Sequence, residues 1–298
     1  MKKNKNIVFT DADLDGAGSY LLFKLATNKN IPYKTTTVTK FNDDYRAWMK
    51  KNDPDTYDNI YILDLDVSQS SLELVDKKNV TIIDHHQTHV DNRDKYKQAK
   101  TYITIYPSCV KLIFKLFKKN LNISDDQKRL VALVDDYDSW NHKFPQSKQL
   151  NSIFWNYQGD RLEKFLKDFQ YGFKGFTSEQ LKIINFYENK FKKVISSLTF
   201  HEATTSIQKN DVKCISTFAD TMISDVGNYM IEELGADLSF VINLNSNRVS
   251  IRKKSSCSVE AGKLAKMLID GGGHDCAAGG VCTEKFLQFS KLFKPCSI

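Results

Sequence analysis

Several common features are scarce or absent in this 298-residue sequence. No apolar run approaches the roughly 18–20 residues that a membrane-spanning helix needs. The apolar run in the opening stretch MKKNKNIVFT is too short for the hydrophobic core of a signal peptide. Six cysteines occur singly, without a CxxC pair, which argues against a zinc ribbon and a thioredoxin-like site. We therefore expect a soluble cytoplasmic protein with reduced thiols and no membrane partner.

The charge and composition are those of an ordinary globular protein with a mildly basic surface. The net charge is +7, with 43 Lys and Arg against 36 Asp and Glu. Such a surface favours anionic partners such as nucleic acid, although solvated helix faces account for much of the excess. The length is enough for one large domain or two ordinary ones.

The first half of the sequence alternates short apolar runs with helical patterns. The runs at 7–9, 60–63 and 80–83 are typical of strands buried on both faces. Their alternation with helices predicts βαβ units and a mostly parallel sheet. Further along, Ser124 and Gln127 form the capping box of a predicted helix.

The pattern changes in the last third of the chain. A second capping box, at Thr177 and Gln180, begins a long amphipathic helix, and short strands alternate with helices beyond it. We predict an α/β protein in which a helical linker at about 196–205 joins a larger N-terminal domain, 1–195, to a smaller α/β domain, 206–298.

Acidic and imidazole side chains follow three of the predicted strands. Because the carboxyl ends of parallel strands meet at one edge of a sheet, these side chains should converge. Crowded carboxylates raise one another's pKa, and divalent cations remove that penalty. Oxygen ligands with one or two imidazoles and no thiolate suit Mn²⁺ or Mg²⁺. The side chains are Asp11, Asp13, Asp15, Asp64, Asp84, His85 and His86.

A metal pair at this edge would activate water and stabilise an in-line phosphoryl transition state. Gly16 allows a sharp turn, and the helix after it offers its N-terminus to an anion. A single aspartate after a strand is often only a helix N-cap. Three such strand ends in order, one with paired histidines, favour the metal site instead.

The same residues resemble the four motifs of the DHH phosphoesterases over about residues 7–140. The motifs are Asp13-x-Asp15-Gly16, Asp64 after a strand, Asp84-His85-His86, and Asp136 in the stretch 134–140. The resemblance implies a nuclease or phosphodiesterase fold. It also implies that two metal ions, Mn²⁺ before Mg²⁺, are held by Asp13, Asp15, Asp64, His85 and Asp136.

The resemblance implies roles for the neighbouring residues as well. Asp64 would bridge the two metals, His86 would contact the scissile phosphate or donate a proton, and Asp84 would hold the histidines. Asp66 and Asp138 are candidates for a supporting role behind the ligands. Many small DHH phosphodiesterases have a histidine where this chain has Asp11, so Asp11 is a further ligand candidate.

The C-terminal part resembles the substrate-binding domain that accompanies many DHH proteins. The similarity rests on Arg252, on Gly271-Gly272-Gly273-His274 and on 277–279. We expect Arg252 to form a bidentate contact with a phosphate. Gly272 and Gly273, before a predicted helix, would present backbone N–H groups to the same group, and His274 would add a donor.

The resulting hypothesis is an exonuclease of the oligoribonuclease kind that acts on short single-stranded nucleic acid. The alternatives are a single-strand DNA exonuclease, a cyclic or linear dinucleotide phosphodiesterase and a non-catalytic nucleotide-binding protein. The sequence leaves open the substrate length, the preference for RNA or DNA, and the oligomeric state, a homodimer included.

Overall fold

The computed structural model describes residues 5–207, 210–273 and 276–282. The chain divides into two compact units, Met1–Asn185 and Phe186–Ile298. No helix within the described ranges is long and apolar enough to cross a membrane.

The first unit is built on a five-stranded sheet. The strands are β1 (Asn6–Asp11), β2 (Tyr33–Thr36), β3 (Asn59–Leu63), β4 (Val80–Asp84) and β5 (Lys100–Ile103). Their order is β2-β1-β3-β4-β5, and all four pairings are parallel. The structure therefore confirms the predicted parallel sheet.

Helices flank this sheet and continue beyond it. They are α1 (Leu14–Thr27), α2 (Phe41–Met49), α3 (Leu72–Val75), α4 (Gln87–Val90), α5 (Cys109–Phe117), α6 (Asp125–Asp138), α7 (Pro145–Asn156), α8 (Arg161–Phe169) and α9 (Ser178–Ser197). The predicted capping boxes begin α6 and α9. At α6, the Gln127 amide N–H donates to the Ser124 hydroxyl over 3.2 Å, and the Ser124 N–H donates back to the Gln127 side chain.

Both faces of the sheet are buried, which explains the continuous apolar runs. Successive side chains of a strand point to opposite faces. Val8 therefore packs into a cluster with α1, α5 and α6, while its neighbours Ile7 and Phe9 pack into a second cluster with α2. On that second side the Phe9 ring contacts Tyr45 and Trp48, with ring centroids 5.1 and 5.2 Å away.

The second unit contains a six-stranded mixed sheet. After α9 come β6 (His201–Ile207), β7 (Asn210–Phe218), α10 (Ile223–Glu232), β8 (Leu238–Asn243), β9 (Arg248–Lys253), α11 (Ala261–Ile269), β10 (Gly272–Gly273) and β11 (Ala277–Val281). The strand order is β10-β11-β9-β8-β7-β6, and only the β7–β8 pairing is parallel among these described strands. The predicted α/β C-terminal domain is confirmed.

The division between the units lies earlier than the predicted linker at 196–205. Those residues contain the end of α9 and the first part of β6. The second half of α9 joins the second unit because Phe191, Val194 and Ile195 pack against the core around Val226 and Met230 of α10. Long-range packing, which the local sequence pattern does not show, decides this boundary.

Candidate metal centre

The carboxyl ends of three adjacent strands supply the candidate site. Strands β1, β3 and β4 are neighbours in the sheet. Asp11 ends β1, Asp64 directly follows β3, and Asp84 ends β4. Asp13 and Asp15 lie at the start of α1, while His85 and His86 follow β4 directly. The topology thus brings residues that are far apart in sequence to one edge.

The turn after β1 depends on a close approach of the backbone. A Cβ atom on Gly16 would lie 2.2 Å from the Asp11 carbonyl oxygen, so only glycine fits. The Gly16 N–H donates to the Asp13 carboxylate over 2.8 Å, which makes Asp13 the N-cap of α1. The Thr10 hydroxyl donates to the Gly16 carbonyl over 2.8 Å. The turn therefore fixes the first acidic group of the site.

Asp15 connects the start of α1 to the start of α5. Its carboxylate accepts hydrogen bonds from the N–H groups of Cys109 and Val110, over 2.6 and 3.0 Å. One of its oxygens also lies 3.8 Å from Nε2 of His85. The side chain is 1% exposed there. Its position is therefore held by the fold on one side and faces the histidine on the other.

Asp64 has a left-handed backbone conformation. Its φ is +57°, a left-handed value that is uncommon for a non-glycine residue. Its Oδ1 atom is buried and has no hydrogen-bond partner among the described residues, while His85 Nε2 lies 3.4 Å away. A buried carboxylate oxygen without a donor is costly to maintain. A cation at this position would satisfy it.

His85 is oriented by a backbone carbonyl. Its Nδ1 lies 3.1 Å from the carbonyl oxygen of Tyr106, so Nδ1 carries the proton and donates. Its Nε2 then faces Asp15, Asp64 and Asp138, with Asp138 at 3.5 Å. A histidine fixed through one nitrogen by a carbonyl and presenting the other to acidic groups is typical of a metal ligand.

A buried chain of hydrogen-bonded polar groups holds His86 through its Nδ1 atom. Its Nδ1 donates to Asp84 over 2.8 Å, and Nδ1 of His89 donates to the other Asp84 oxygen over 2.7 Å. The Tyr96 hydroxyl lies 2.7 Å from His89 Nε2 and donates to it. His89 and Asp84 are fully buried. Asp84 thereby keeps the His86 ring in place.

Two groups of potential metal ligands share His85. One consists of Asp64, His85 and His86, and the other of Asp15, His85 and Asp138. Within each group the ligand atoms lie within 4.8 Å of one another. Oxygen and imidazole donors without thiolate match the chemistry of Mn²⁺ and Mg²⁺. The described residues therefore fit the metal ions that the sequence predicts.

Burial and mutual repulsion raise the pKa of the acidic groups. Burial raises the pKa of Asp11 to about 8 and that of Asp15 to about 6, and Asp13 adds to both. Burial, followed by the charge of Asp15, raises the pKa of Asp64 and Asp138 well above their usual range. Such a cluster needs a positive charge for all its members to ionise together.

The pKa shifts of His86 and Asp84 differ from those of the other acidic groups. Burial lowers the pKa of His86, but the carboxylate of Asp84 outweighs it and raises that pKa to about 10. Asp84 has its pKa held well below the usual range because, although burial raises it, His86 and His89 outweigh that effect. In contrast to the other strand-end aspartates, Asp84 is thus already neutralised by protein groups.

Asp136 does not join either ligand group, in contrast to the prediction. Its carboxylate accepts hydrogen bonds from the N–H groups of Lys143 and Phe144, over 2.9 and 3.0 Å, and from the Ser147 hydroxyl over 2.8 Å. These donors hold its pKa low although burial raises it. Asp136 organises the start of α7, and Asp138, predicted only as a supporting residue, faces His85 instead.

Asp66 has a supporting position. Its carboxylate accepts a hydrogen bond from the hydroxyl of Thr88 on α4, the short helix that follows the paired histidines. This contact ties the loop after β3 to the segment after β4. The supporting role behind the ligands stays a prediction, since this contact reaches Thr88 rather than a ligand candidate.

In the second unit, Arg252 lies on β9 and is held by neighbouring groups. Its guanidinium donates to the Ser250 hydroxyl and the Ile251 carbonyl over 3.0 and 2.9 Å, and to the Ser224 hydroxyl over 2.9 Å. Arg252 is the register partner of Ala277 on the neighbouring strand β11. On its other side, β11 pairs with β10, which carries Gly272 and Gly273.

The glycines of this region form a strand rather than the start of a helix. Gly273 pairs with Ala278, has a φ of +146°, and a Cβ there would lie 2.4 Å from the Ala277 carbonyl oxygen. Gly272 is exposed and has open space at the Cβ position. The predicted helix after the glycines is wrong for the described residues, since close β10–β11 pairing is what requires them. His274 lies outside the described residues.

The family comparison agrees with the geometry of the first unit. The N-terminal domain of the DHH family matches residues 5–134, which contain the strand-end aspartates and both histidines of the site. The resemblance predicted from the motifs is thereby confirmed.

Similarity to other proteins extends over most of the chain. Oligoribonuclease NrnB of Bacillus subtilis is 22% identical over 304 residues, covering 94% of this chain and 74% of that protein. The pGpG-specific phosphodiesterase PggH of Vibrio cholerae has a TM-score of 0.57 at 12% identity and covers 97% of both chains. Exonuclease RecJ bound to manganese has a TM-score of 0.56 at 12% identity, covering 98% and 89%. The two structural likenesses show a shared fold.

Sequence reasoning missed two polar residues behind the DHH motif. His89 was not predicted to take part in the site, and the structure buries it between Asp84 and Tyr96. Its spacing from His86, three residues on the short helix α4, was the available signal. Tyr96 had no local signal, because only the tertiary packing brings its hydroxyl to the His89 ring.

Proposed function

We propose that this chain is a two-metal phosphodiesterase that hydrolyses short single-stranded oligonucleotides from one end to mononucleotides. The observation that supports it best is the convergence of three carboxylates on Nε2 of His85, within 3.4 to 3.8 Å, at the edge of the sheet. The oligoribonuclease NrnB, similar over 94% of this chain, supports the substrate class.

The ligand set that we propose combines residues of the two ligand groups with Asp11 and Asp13, which the sequence motifs add. Asp64, whose buried Oδ1 has no hydrogen-bond partner among the described residues, would be the ligand shared by the two ions. The remaining ligands are Asp11, Asp13, Asp15, His85 and Asp138. Manganese is the first candidate, as in the RecJ structure, and magnesium is the second. Bound metal ions supply an activated water and stabilise charge on the phosphoryl group.

His86 and Asp84 act together on the substrate. The hydrogen bond over 2.8 Å to Asp84 fixes the plane of the His86 ring, which is 20% exposed at its side chain. His86 can therefore reach a bound phosphate while its other nitrogen stays engaged. We assign it the contact to the scissile phosphate or the donation of a proton to the leaving oxygen.

The second unit supplies the anion-binding group in this proposal. Arg252, with its planar fork of donors, takes a phosphate of the substrate. Gly272 has an exposed backbone and no side chain to hinder an approaching ligand. The N–H groups of Gly272 and Gly273 are the further donors that the sequence predicts for this phosphate, and the predicted donor His274 lies outside the described residues. A clamp on one chain end would make the enzyme act from a terminus.

The test is a Mn²⁺-dependent time course on end-labelled RNA and DNA, from dinucleotides to long single strands, with a cyclic dinucleotide alongside. Fastest release of mononucleotides from the shortest linear oligomers is the expected result. Processive digestion of long DNA would instead make the chain a single-strand exonuclease. Cleavage restricted to one dinucleotide would point to a phosphodiesterase such as PggH, and binding without any cleavage to a nucleotide-binding protein.

A further inference from the structure

A recess lies beside the candidate metal centre, within the first unit. It has a volume of about 270 Å³ and is lined by Asp11 and Ala12 at the end of β1 and by Gly159, Asp160 and Arg161 at the start of α8. This volume is just below the range of about 300–1,000 Å³ typical of pockets for drug-sized ligands. The recess is therefore of a size for one nucleotide unit rather than for a duplex.

Arg161 is the cation of this recess. It is the only Lys or Arg among the described residues that line it. Its guanidinium lies over the Trp155 ring, 4.6 Å from the centroid. Its Nε atom is buried and has no hydrogen-bond partner among the described residues. A buried donor left without an acceptor costs free energy, which a ligand that accepts a hydrogen bond would recover.

The neighbouring acid does not neutralise Arg161. Both carboxylate oxygens of Asp160 already accept hydrogen bonds, one from the Glu163 N–H over 3.0 Å and one from the Tyr33 hydroxyl over 2.9 Å. Asp160 is the N-cap of α8. Its role is to fix the start of this helix against β2, and no ion pair joins it to Arg161 in the described part of the chain.

The position of the recess indicates which ligand it takes. Asp11 lines it and is also a member of the proposed metal-ligand set, so the recess adjoins the proposed metal site. Guanidinium groups bind phosphate oxygens through planar, charge-assisted hydrogen bonds. Two almost fully buried apolar side chains, Phe154 and Leu162, complete the lining of the recess.

We propose that this recess binds the sugar-phosphate unit next to the scissile bond, with the Arg161 guanidinium donating to its phosphate oxygens. This inference rests on the proposed function, since it assumes a substrate with more than one phosphate at this edge of the sheet. It assigns to the DHH domain itself a share of the recognition of the nucleic-acid backbone.

The test compares Arg161→Met with Arg129→Met. Arg129 is a matched control because its guanidinium also lies over an aromatic ring, that of Phe173 at 5.5 Å, but outside the recess. For a 5′-phosphorylated trinucleotide, Arg161→Met should raise KM about tenfold or more, the size expected from losing a hydrogen bond to a charged group. For bis(4-nitrophenyl) phosphate, which has one phosphate, its effect on KM should be much smaller.

A conservative variant and a binding measurement complete the experiment. Arg161→Lys should restore part of the trinucleotide KM, because it keeps the charge without the planar fork. Affinity for the labelled trinucleotide is also measured with Ca²⁺ in place of Mn²⁺, for wild type and both Met variants. If Arg161→Met binds the trinucleotide more weakly and Arg129→Met does not, the subsite is supported. This holds even when no trinucleotide is cleaved, because a lack of cleavage would count only against the proposed function. Equal affinity and equal KM for Arg161→Met and wild type would overturn the subsite.

Discussion

The orientation of one histidine depends on a single carbonyl oxygen. Because the Tyr106 carbonyl accepts the Nδ1 proton of His85, the other ring nitrogen faces the acidic groups. The same rule holds for His86, which Asp84 holds, and for His89, which stands between Asp84 and Tyr96. At the level of residues, each histidine of the site is thus oriented by a hydrogen bond from its Nδ1 to an oxygen of the fold.

Two aspartates on α6 provide a direct test of the ligand set. Asp138→Asn should weaken Mn²⁺ binding and lower the hydrolysis rate by at least about 10–100-fold, the loss typical of disturbing a metal-ligand network. Asp136→Asn should mainly lower the free energy of unfolding, by about 1–2 kcal/mol, because it disturbs the hydrogen bonds from Lys143, Phe144 and Ser147.

Calorimetric titration with Mn²⁺ and thermal melting separate these two effects. The assignment of Asp138 is wrong if Asp138→Asn keeps wild-type metal affinity while Asp136→Asn loses it. Equal losses of stability with equal metal affinity would leave both residues outside the metal site.

At the level of elements, the turn between β1 and α1 is the most constrained part of the site. Its shape requires the Gly16 backbone against the Asp11 carbonyl and the Asp13 carboxylate against the Gly16 N–H. The helix therefore starts at a fixed position relative to the strand. Asp15, one residue after the start of α1, is in turn held by the first N–H groups of α5.

Gly16→Ala should therefore disturb the metal site through the backbone. The added methyl group would overlap the Asp11 carbonyl, so we expect a loss of about 1–3 kcal/mol in the free energy of unfolding together with weaker Mn²⁺ binding. Gly18→Ala is the control on the same helix. Its Cβ would approach only the Val134 side chain, at 3.1 Å, away from the acidic groups.

Melting curves and Mn²⁺ titrations of the two variants decide the point. Gly18→Ala should bind Mn²⁺ like the wild type, whatever its change in stability. Unchanged metal affinity in a folded Gly16→Ala protein would show that the turn does not position the ligands.

At the level of the whole molecule, the first unit buries several acidic side chains close together, which disfavours their ionised forms. Burial raises the pKa of Asp11, Asp13, Asp15, Asp64 and Asp138. The fold brings these acids together all the same, because the strand order places β1, β3 and β4 side by side. Stability of the native state should consequently be linked to divalent cations.

Mn²⁺ should raise the melting temperature of the wild-type protein at neutral pH, and a chelator should reverse the change. A ligand at 100 times its dissociation constant stabilises the native state by about 2.7 kcal/mol when the unfolded chain does not bind it. Asp64→Ala should lose most of this shift because it removes the proposed bridging group. Scanning calorimetry with and without Mn²⁺ is the measurement, and an identical Mn²⁺-induced shift in Asp64→Ala would contradict the assignment.

Much of the fold and of the site follows from local sequence patterns. Apolar runs locate β1, β3 and β4, and the capping boxes at Ser124 and Thr177 locate the starts of two helices. These signals are short-range, since strand burial and helix capping depend on neighbouring residues. The order of acidic groups after the strands was sufficient to predict the edge of the sheet at which these groups gather.

The tertiary structure alone decided which side chains reach the site. Asp136 and Asp138 lie two positions apart on α6, and at 3.6 residues per turn they point about 160° apart, so only the packing of α6 shows which one faces His85. Likewise, His89 and Arg161 acquire their surroundings from β4, α4 and α8, which meet their neighbours only in the folded chain. The sequence by itself determined the strands and the ligand types, whereas long-range packing determined the direction of each side chain.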